Sequence, residues 1–238
     1  MAFEPGSRFT SRSNAIPQVD IDVGLREYML RVYNYMMAGL AITGLVGYFA
    51  ASSGFYASIA HTPLIWLVML APLGFVMVLS YGIQRLNLGT AQALFWVFSA
   101  VMGLSLSAIF LVYTGASITR VFFITSGTFA GMSLYGYTTK RDLTGMGSFM
   151  VMGLFGLVIA SLVNIFMQSS ALYFAISVIG VMVFVGLTAW DTQKIKESYS
   201  DGDDAVIAGK KAIMGALELY LDFINLFIML LRLFGDRR

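Results

Sequence analysis

No aspartate, glutamate, lysine or arginine occurs between Val32 and Gln84, and none occurs between Leu143 and Trp190. A helix needs about 20 apolar residues to cross the hydrocarbon of a bilayer. Each run is therefore long enough for two crossings. Lipid offers no partner for a free backbone N–H or C=O, so a spanning segment closes its own hydrogen bonds as a helix or joins a closed barrel. Uninterrupted apolar runs of this length specify helices. Soluble chains carry about 25% charged residues, whereas this one carries 12% charged and 58% hydrophobic residues. No stretch is left over for a soluble domain.

The breaks between helices are marked by small, polar and charged residues. Ser52 to His61 divides the first run, and Thr62 with Pro63 supplies a cap and a first-turn proline for the second helix. Pro72 bends that helix and Arg85 closes it. A third span fits Leu88 to Tyr113 and a fourth Ile118 to Tyr137, with Arg120 near its start and Lys140 and Arg141 beyond its end. Asn164 to Ser170 splits the second run into a fifth and a sixth. A polar connection from Lys194 to Lys211, containing SDGDD, leads to a seventh span and a GDRR ending. Residues 1–27 lack the apolar core of a signal peptide and read as a retained cytoplasmic tail, with helix starting near Asp20. Residues 28–236 form the membrane domain.

Lysine and arginine gather on the cytoplasmic side of short loops. With a cytoplasmic N-terminus, eleven of the 15 basic residues fall on that side and four, Arg120, Arg232, Arg237 and Arg238, on the other. The C-terminal arginines run against this pattern, and a last segment that re-enters the membrane would return them to the cytoplasm. With no Cys, disulfides and thiolate metal sites are excluded, and the lone His61 excludes sites built from two or more histidines. A net charge of +2 with scattered basic residues gives no footprint for nucleic acid. Glycines such as Gly127, Gly131, Gly153 and Gly156 read as points of close helix approach.

Two acids break the apolar pattern. Asp191 lies near the end of the sixth span and Asp222 midway along the seventh. A charge at bilayer depth costs about 2.5–3.5 kcal/mol on insertion scales, so such a residue faces protein or water. Glu218, Asp222, Asn225, Met229 and Arg232 follow steps of three and four and share one stripe of an otherwise apolar helix. Thr188, Asp191 and Lys194 likewise share a face. If the two aspartates meet, they cannot both ionise cheaply, and one proton is held between them. Protonated, the pair ties two helices together; ionised, it repels. Oxygen ligands from Asp191, Asp222 and Glu218 suit calcium, Asn225 extends the polar path, and Arg85 is a candidate counter-ion for Asp191.

LYLDFINLF (Leu219 to Phe227), its continuation LLRLFG, the preceding WDTQKIK, KRDLTGMGSF and GLSLSAIF together resemble the Bax inhibitor-1, or transmembrane Bax inhibitor motif, family over about residues 26–235. The resemblance implies an all-α integral membrane fold of seven transmembrane helices, the C-terminal one central and wrapped by two three-helix layers. It implies a pH-sensitive calcium leak with a di-aspartyl sensor, here Asp191 and Asp222, with Arg85 competing for the first. The connection Ser198 to Gly209 is longer than the family's pattern. The tail suggests a bacterial member in the inner membrane, linked to stress protection, without an organic cofactor.

Two other readings stand beside the leak. One is a non-conducting regulator that binds other membrane proteins or a membrane-embedded quality-control protease. The other, an intramembrane aspartyl protease, lacks the GxGD context at both acids, which read AWD and YLD. The chain is therefore read as a non-enzyme.

Overall fold

The computed structural model describes residues 18–238. They form eight helices: α1 (Gln18–Ser52), α2 (Phe55–Ala60), α3 (Leu64–Gly82), α4 (Leu88–Val112), α5 (Gly115–Thr138), α6 (Thr144–Met167), α7 (Ser170–Glu197) and α8 (Ala205–Phe234). Of the expected tail over residues 1–27, residues 1–17 lie outside the described residues, and from Gln18 the chain is already helix. Six helices are long and apolar enough to cross a membrane: α1 from Val23, α3, α4, α6, α7 and α8. The count of seven expected from the sequence is not reached on that measure. α5 falls short because Ser, Thr and Gly recur along it and Arg120 sits in its second turn.

The helix boundaries follow local chemistry, with three departures from expectation. Asn87, Thr114, Ser169 and Asp204 each cap a helix by accepting a hydrogen bond from the third backbone N–H beyond, at 2.7, 3.3, 3.3 and 2.7 Å. Thr62 does not cap α3. Its hydroxyl donates to Ile59 O at 2.8 Å, and Pro63, which has no N–H to satisfy, takes the cap position. The break after α1 is itself partly helical, because Gly54 at φ 75° turns the chain into the short α2. The α7–α8 connection is shorter than the polar stretch suggested. Asp204 caps α8, whose first residue, Ala205, lies six positions ahead of Lys211, so residues 205–210 of the expected connection are helix.

Packing arranges the helices about α8. α3 packs on α4 and α4 on α1, while α6 packs on α7 and α7 on α5; α8 touches members of both sets. Its Leu217, Leu219, Tyr220, Leu226 and Leu231 are all but fully buried. The outer helices instead turn Trp66, Leu73, Phe155 and Phe166 outward, as lipid-facing surfaces do. One polar junction locks the first set to α8. Tyr220 OH lies 2.6 Å from Thr43 Oγ1, and Thr43 also reaches Ser99 O at 2.8 Å, tying α8 to α1 and α4. The hydroxyl has one proton, so it donates to a carbonyl and accepts from the tyrosine. Close approach makes this possible: a Cβ on Gly103 would sit 2.6 Å from Thr43 O.

The two ends of the bundle are distinct. At one end Tyr28 OH meets Ser198 Oγ at 3.1 Å and Lys210 Nζ donates to Gln84 O at 3.3 Å. The start of α1, the α3–α4 turn and the α7–α8 connection therefore share that end. α8 then runs unbroken to Phe234 at the opposite end, so the chain does not re-enter. The C-terminal segment is fastened to the α4–α5 turn by Arg238 N to Val112 O at 2.9 Å, Thr114 N to Asp236 O at 3.1 Å and an Arg120–Asp236 ion pair at 2.9 Å.

Gln193 holds the α5–α6 connection. Its Oε1 accepts from Leu143 N and its Nε2 donates to Arg141 O, both at 2.8 Å. Gln193→Leu strands two backbone groups, and an unmet buried group costs about 1–3 kcal/mol. We expect trypsin to cut after Lys140 or Arg141 faster in the variant than in the wild type. Equal cleavage rates would show that the amide is dispensable.

Candidate functional site

Small residues bring α7 and α8 together. A Cβ on Gly180 would meet Met229, and one on Gly215 would meet Ile195, at 2.9 and 3.0 Å. Along this seam the Asp191 and Asp222 carboxyl groups come within hydrogen-bonding reach of each other. Both are buried, with 8% and 5% of their surfaces exposed. Asp222 Oδ2 is fully enclosed and has no hydrogen-bond partner, a condition that costs a buried carboxyl dearly unless a proton or a cation attends it.

The cluster extends toward the α7–α8 end of the bundle. Lys194 Nζ lies 3.1 Å from Asp191 Oδ1 and 2.9 Å from Glu218 Oε2, linking an acid on each helix. The ammonium also sits 5.0 Å above the Trp190 ring. Side-chain exposure falls from 44% at Lys194 through 32% at Glu218 to 11% at Asp191. The acids thus form a graded entry from one end of the bundle, with Asp222 deepest.

The residues expected at the site divide as follows. Asp191, Asp222 and Glu218 come together. Arg85 does not join them: it is exposed in the α3–α4 turn and makes no ion pair among the described residues, while Lys194 stands beside Asp191. Asn225 turns back on its own helix, donating to Leu221 O at 2.8 Å. Among the described residues no group of three acids or histidines is placed to hold a metal. Calcium takes six to eight oxygens, and here an ammonium sits between two of the three carboxylates. The donor set does not fit a resident calcium ion at Asp191 and Asp222 in this arrangement.

Sequence reasoning missed a hydroxyl chain beside the acids. Tyr33 OH meets Ser133 Oγ at 2.6 Å, Ser133 meets Thr192 Oγ1 at 3.0 Å, and Thr192 donates to Thr188 O at 2.7 Å. It links α1, α5 and α7. Two threonines four apart on an apolar helix, flanking Asp191, were the available signal. Separately, an apolar cavity of about 1390 Å³ opens between α1 and α5 over Phe223, Ile224 and Phe227 of α8, and no acid lines it.

A bundle of membrane-length helices with an ionisable cluster between its last two helices defines a class of protein, one whose interior carries charge that lipid would not tolerate. Comparison with known proteins gives the family. A family profile described as Inhibitor of apoptosis-promoting Bax1 matches residues 25–238. YbhL, an inner membrane protein of Escherichia coli K12, is 50% identical over 231 residues, covering 95% of this chain and 98% of YbhL. An uncharacterized protein of Rickettsia prowazekii is 53% identical over 218 residues, covering 91% and 92% of the two chains. An uncharacterized protein of Caulobacter vibrioides is 42% identical over 233 residues, covering 92% of each. The chain belongs to the Bax inhibitor-1 family.

Proposed function

We propose that the protein is a cation leak of the bacterial inner membrane, passing calcium and gated by protonation of the Asp191–Asp222 pair. The observation that carries this reading is the unpartnered, enclosed Asp222 Oδ2 set against a second buried carboxyl group. A structural role alone would be served by a neutral, fully bonded pair. The inner membrane is proposed from the helices and from the location in the name of YbhL. α5, 24 residues long and packed on α7 and α8, serves as a seventh span. We orient the start of α1 and the α3–α4, α5–α6 and α7–α8 connections, which carry most of the basic residues, toward the cytoplasm, and read α8 as the central helix between the α1–α3–α4 and α5–α6–α7 sets it packs against.

With one proton held between the acids, α7 and α8 stay joined and the bundle is closed. Loss of that proton sets two anions against each other. Lys194 balances Asp191 and leaves Asp222 without a counter-charge, so α8 is driven away and cations enter past Glu218. Arg85 is the partner we assign to Asp191 after that movement.

The test uses the full-length protein in liposomes, with calcium entry followed by an enclosed dye from acidic to mildly alkaline pH. Asp191→Asn and Asp222→Asn should each flatten the pH dependence. A wild-type pH profile in both variants contradicts the gating pair, and no flux from the wild type contradicts the leak.

A further inference from the structure

We infer that the apolar groove between α1 and α5 holds an acyl chain of an anionic phospholipid whose phosphate sits against Arg26. Both helices pack on α8, and the floor between them is Phe223, Ile224 and Phe227. Tyr33 OH crosses the gap at one level to Ser133 Oγ, 2.6 Å away. The volume of about 1390 Å³ exceeds the roughly 300–1,000 Å³ of sites that hold drug-sized ligands. The groove is also long. Along α1 its lining runs from Arg26 to Leu45, about 28 Å of helix at about 1.5 Å per residue, which is close to the roughly 30 Å of bilayer hydrocarbon. Its walls suit hydrocarbon. Ser126 and Thr119 face it, but their hydroxyls donate to Phe122 O and Gly115 O of their own helix at 2.8 and 3.0 Å. Thr43 is engaged with Ser99 O and Tyr220. These hydroxyls are spent on the protein and leave little for a polar guest at membrane depth.

The mouth at the start of α1 has the opposite character. Arg26 and Tyr137 line it, and Lys196 stands behind Tyr137, donating to its carbonyl oxygen at 2.8 Å with Nζ 5.4 Å from the ring centre. Glu27, next to Arg26 in the chain, turns instead to a separate pocket with Arg31 and Trp96. Among the described residues no carboxylate pairs with Arg26. The mouth is therefore positive and the groove below it carries no negative charge. A guest with a phosphate at one end and hydrocarbon at the other matches both. A guanidinium takes a phosphate through two parallel N–H···O bonds, and basic pockets between membrane helices are a recurring seat for anionic lipid heads. A zwitterionic head brings its own cation beside Arg26 and Lys196 and is the weaker guest. A neutral lipid, or a helix from a second copy, meets only the walls.

The test reads lipid binding and does not depend on conduction. Full-length protein, purified in detergent and stripped of lipid, is titrated with phosphatidylglycerol and with phosphatidylcholine of the same chains, and bound lipid is counted by native mass spectrometry. Wild type should hold one phosphatidylglycerol about fivefold more tightly than phosphatidylcholine, the preference that one cation near an anionic head supplies. Arg26→Gln should remove most of that preference, and Arg26→Lys should keep most of it. Ala130 lines the groove on α5, below the mouth. Ala130→Trp fills that space and should weaken both lipids at least about tenfold, because the acyl chain loses its buried apolar contact. If gel filtration shows that variant aggregated, Ala130→Leu is read for weakened binding in its place. Equal affinity of wild type for the two lipids overturns the inference, as does an Arg26→Gln protein that keeps the full preference. Wild-type binding in the folded Ala130 variant overturns it as well, since the lipid would then be attracted only at the surface. A dimer that withstands excess phosphatidylglycerol gives the groove to a second copy and also overturns it.

Discussion

Gly136→Leu will yield no monodisperse protein. Gly136 lies on α5 where the backbone of α7 crosses it, and a Cβ built there overlaps the Ala189 carbonyl oxygen, with Ala189 C and Cα at 2.9 and 3.0 Å. The obstacle is main chain, which has no rotamer by which to move aside. Overpacking a core costs about 1–3 kcal/mol when side chains can adjust, and here the helices must part instead. Parting them also breaks the Ser133–Thr192 contact beside the acids. Size-exclusion profiles in detergent should show aggregate for Gly136→Leu and a reduced melting temperature for Gly136→Ala. Gly127→Leu, on the same helix with nothing within 4 Å of its added Cβ, should purify as wild type. Similar behaviour of the two leucine variants would show that α5 is not held as described.

The second large effect is expected at Tyr220. Its ring is fully buried, 5.2 Å from Phe98 and 6.3 Å from Phe95 between centroids, and its hydroxyl meets Thr43. Tyr220→Ala removes an aromatic from a packed interior, a change that costs about 3–5 kcal/mol. Tyr220→Phe keeps the rings and loses one hydrogen bond, about 1 kcal/mol, because Thr43 still bonds Ser99 O. Thermal unfolding in detergent should rank wild type above Phe and Phe well above Ala. If Phe were as damaging as Ala, the hydroxyl junction and not the aromatic packing would be what anchors α8.

The helices were legible because charge is excluded from lipid wherever it falls in the chain. Asn164 to Ser170, for example, marks the α6–α7 turn that the structure places between Met167 and Ser170. Helix onset was less legible. Lys211 looked like the first turn of α8, but the Asp204 cap lies earlier in what composition alone reads as loop. Glycines misled for a related reason. Gly127, Gly131 and Gly156 sit in small-residue clusters yet face open space, whereas Gly136 and Gly147 meet Ala189 and Trp190. Periodicity says that a residue is small; only the neighbouring helix says whether smallness is used.

The acidic cluster divides in the same way. Asp191 and Asp222 stood out by cost, and Glu218 by spacing. Lys194 was visible three residues from Asp191, but its second contact, to Glu218, joins residues 24 positions apart in the chain and depends on how α7 lies against α8. Asn225 shared the stripe by number and used its amide on its own backbone instead.

The fastening of the last three residues to the α4–α5 turn also limits how α8 can travel. With Asp236 and Arg238 bonded to that turn and Arg120, the helix works as a lever on a fixed fulcrum. Any excursion that keeps those bonds is small near Phe234 and grows toward Ala205, so Asp222 moves more than the C-terminal turn and Glu218 moves more than Asp222.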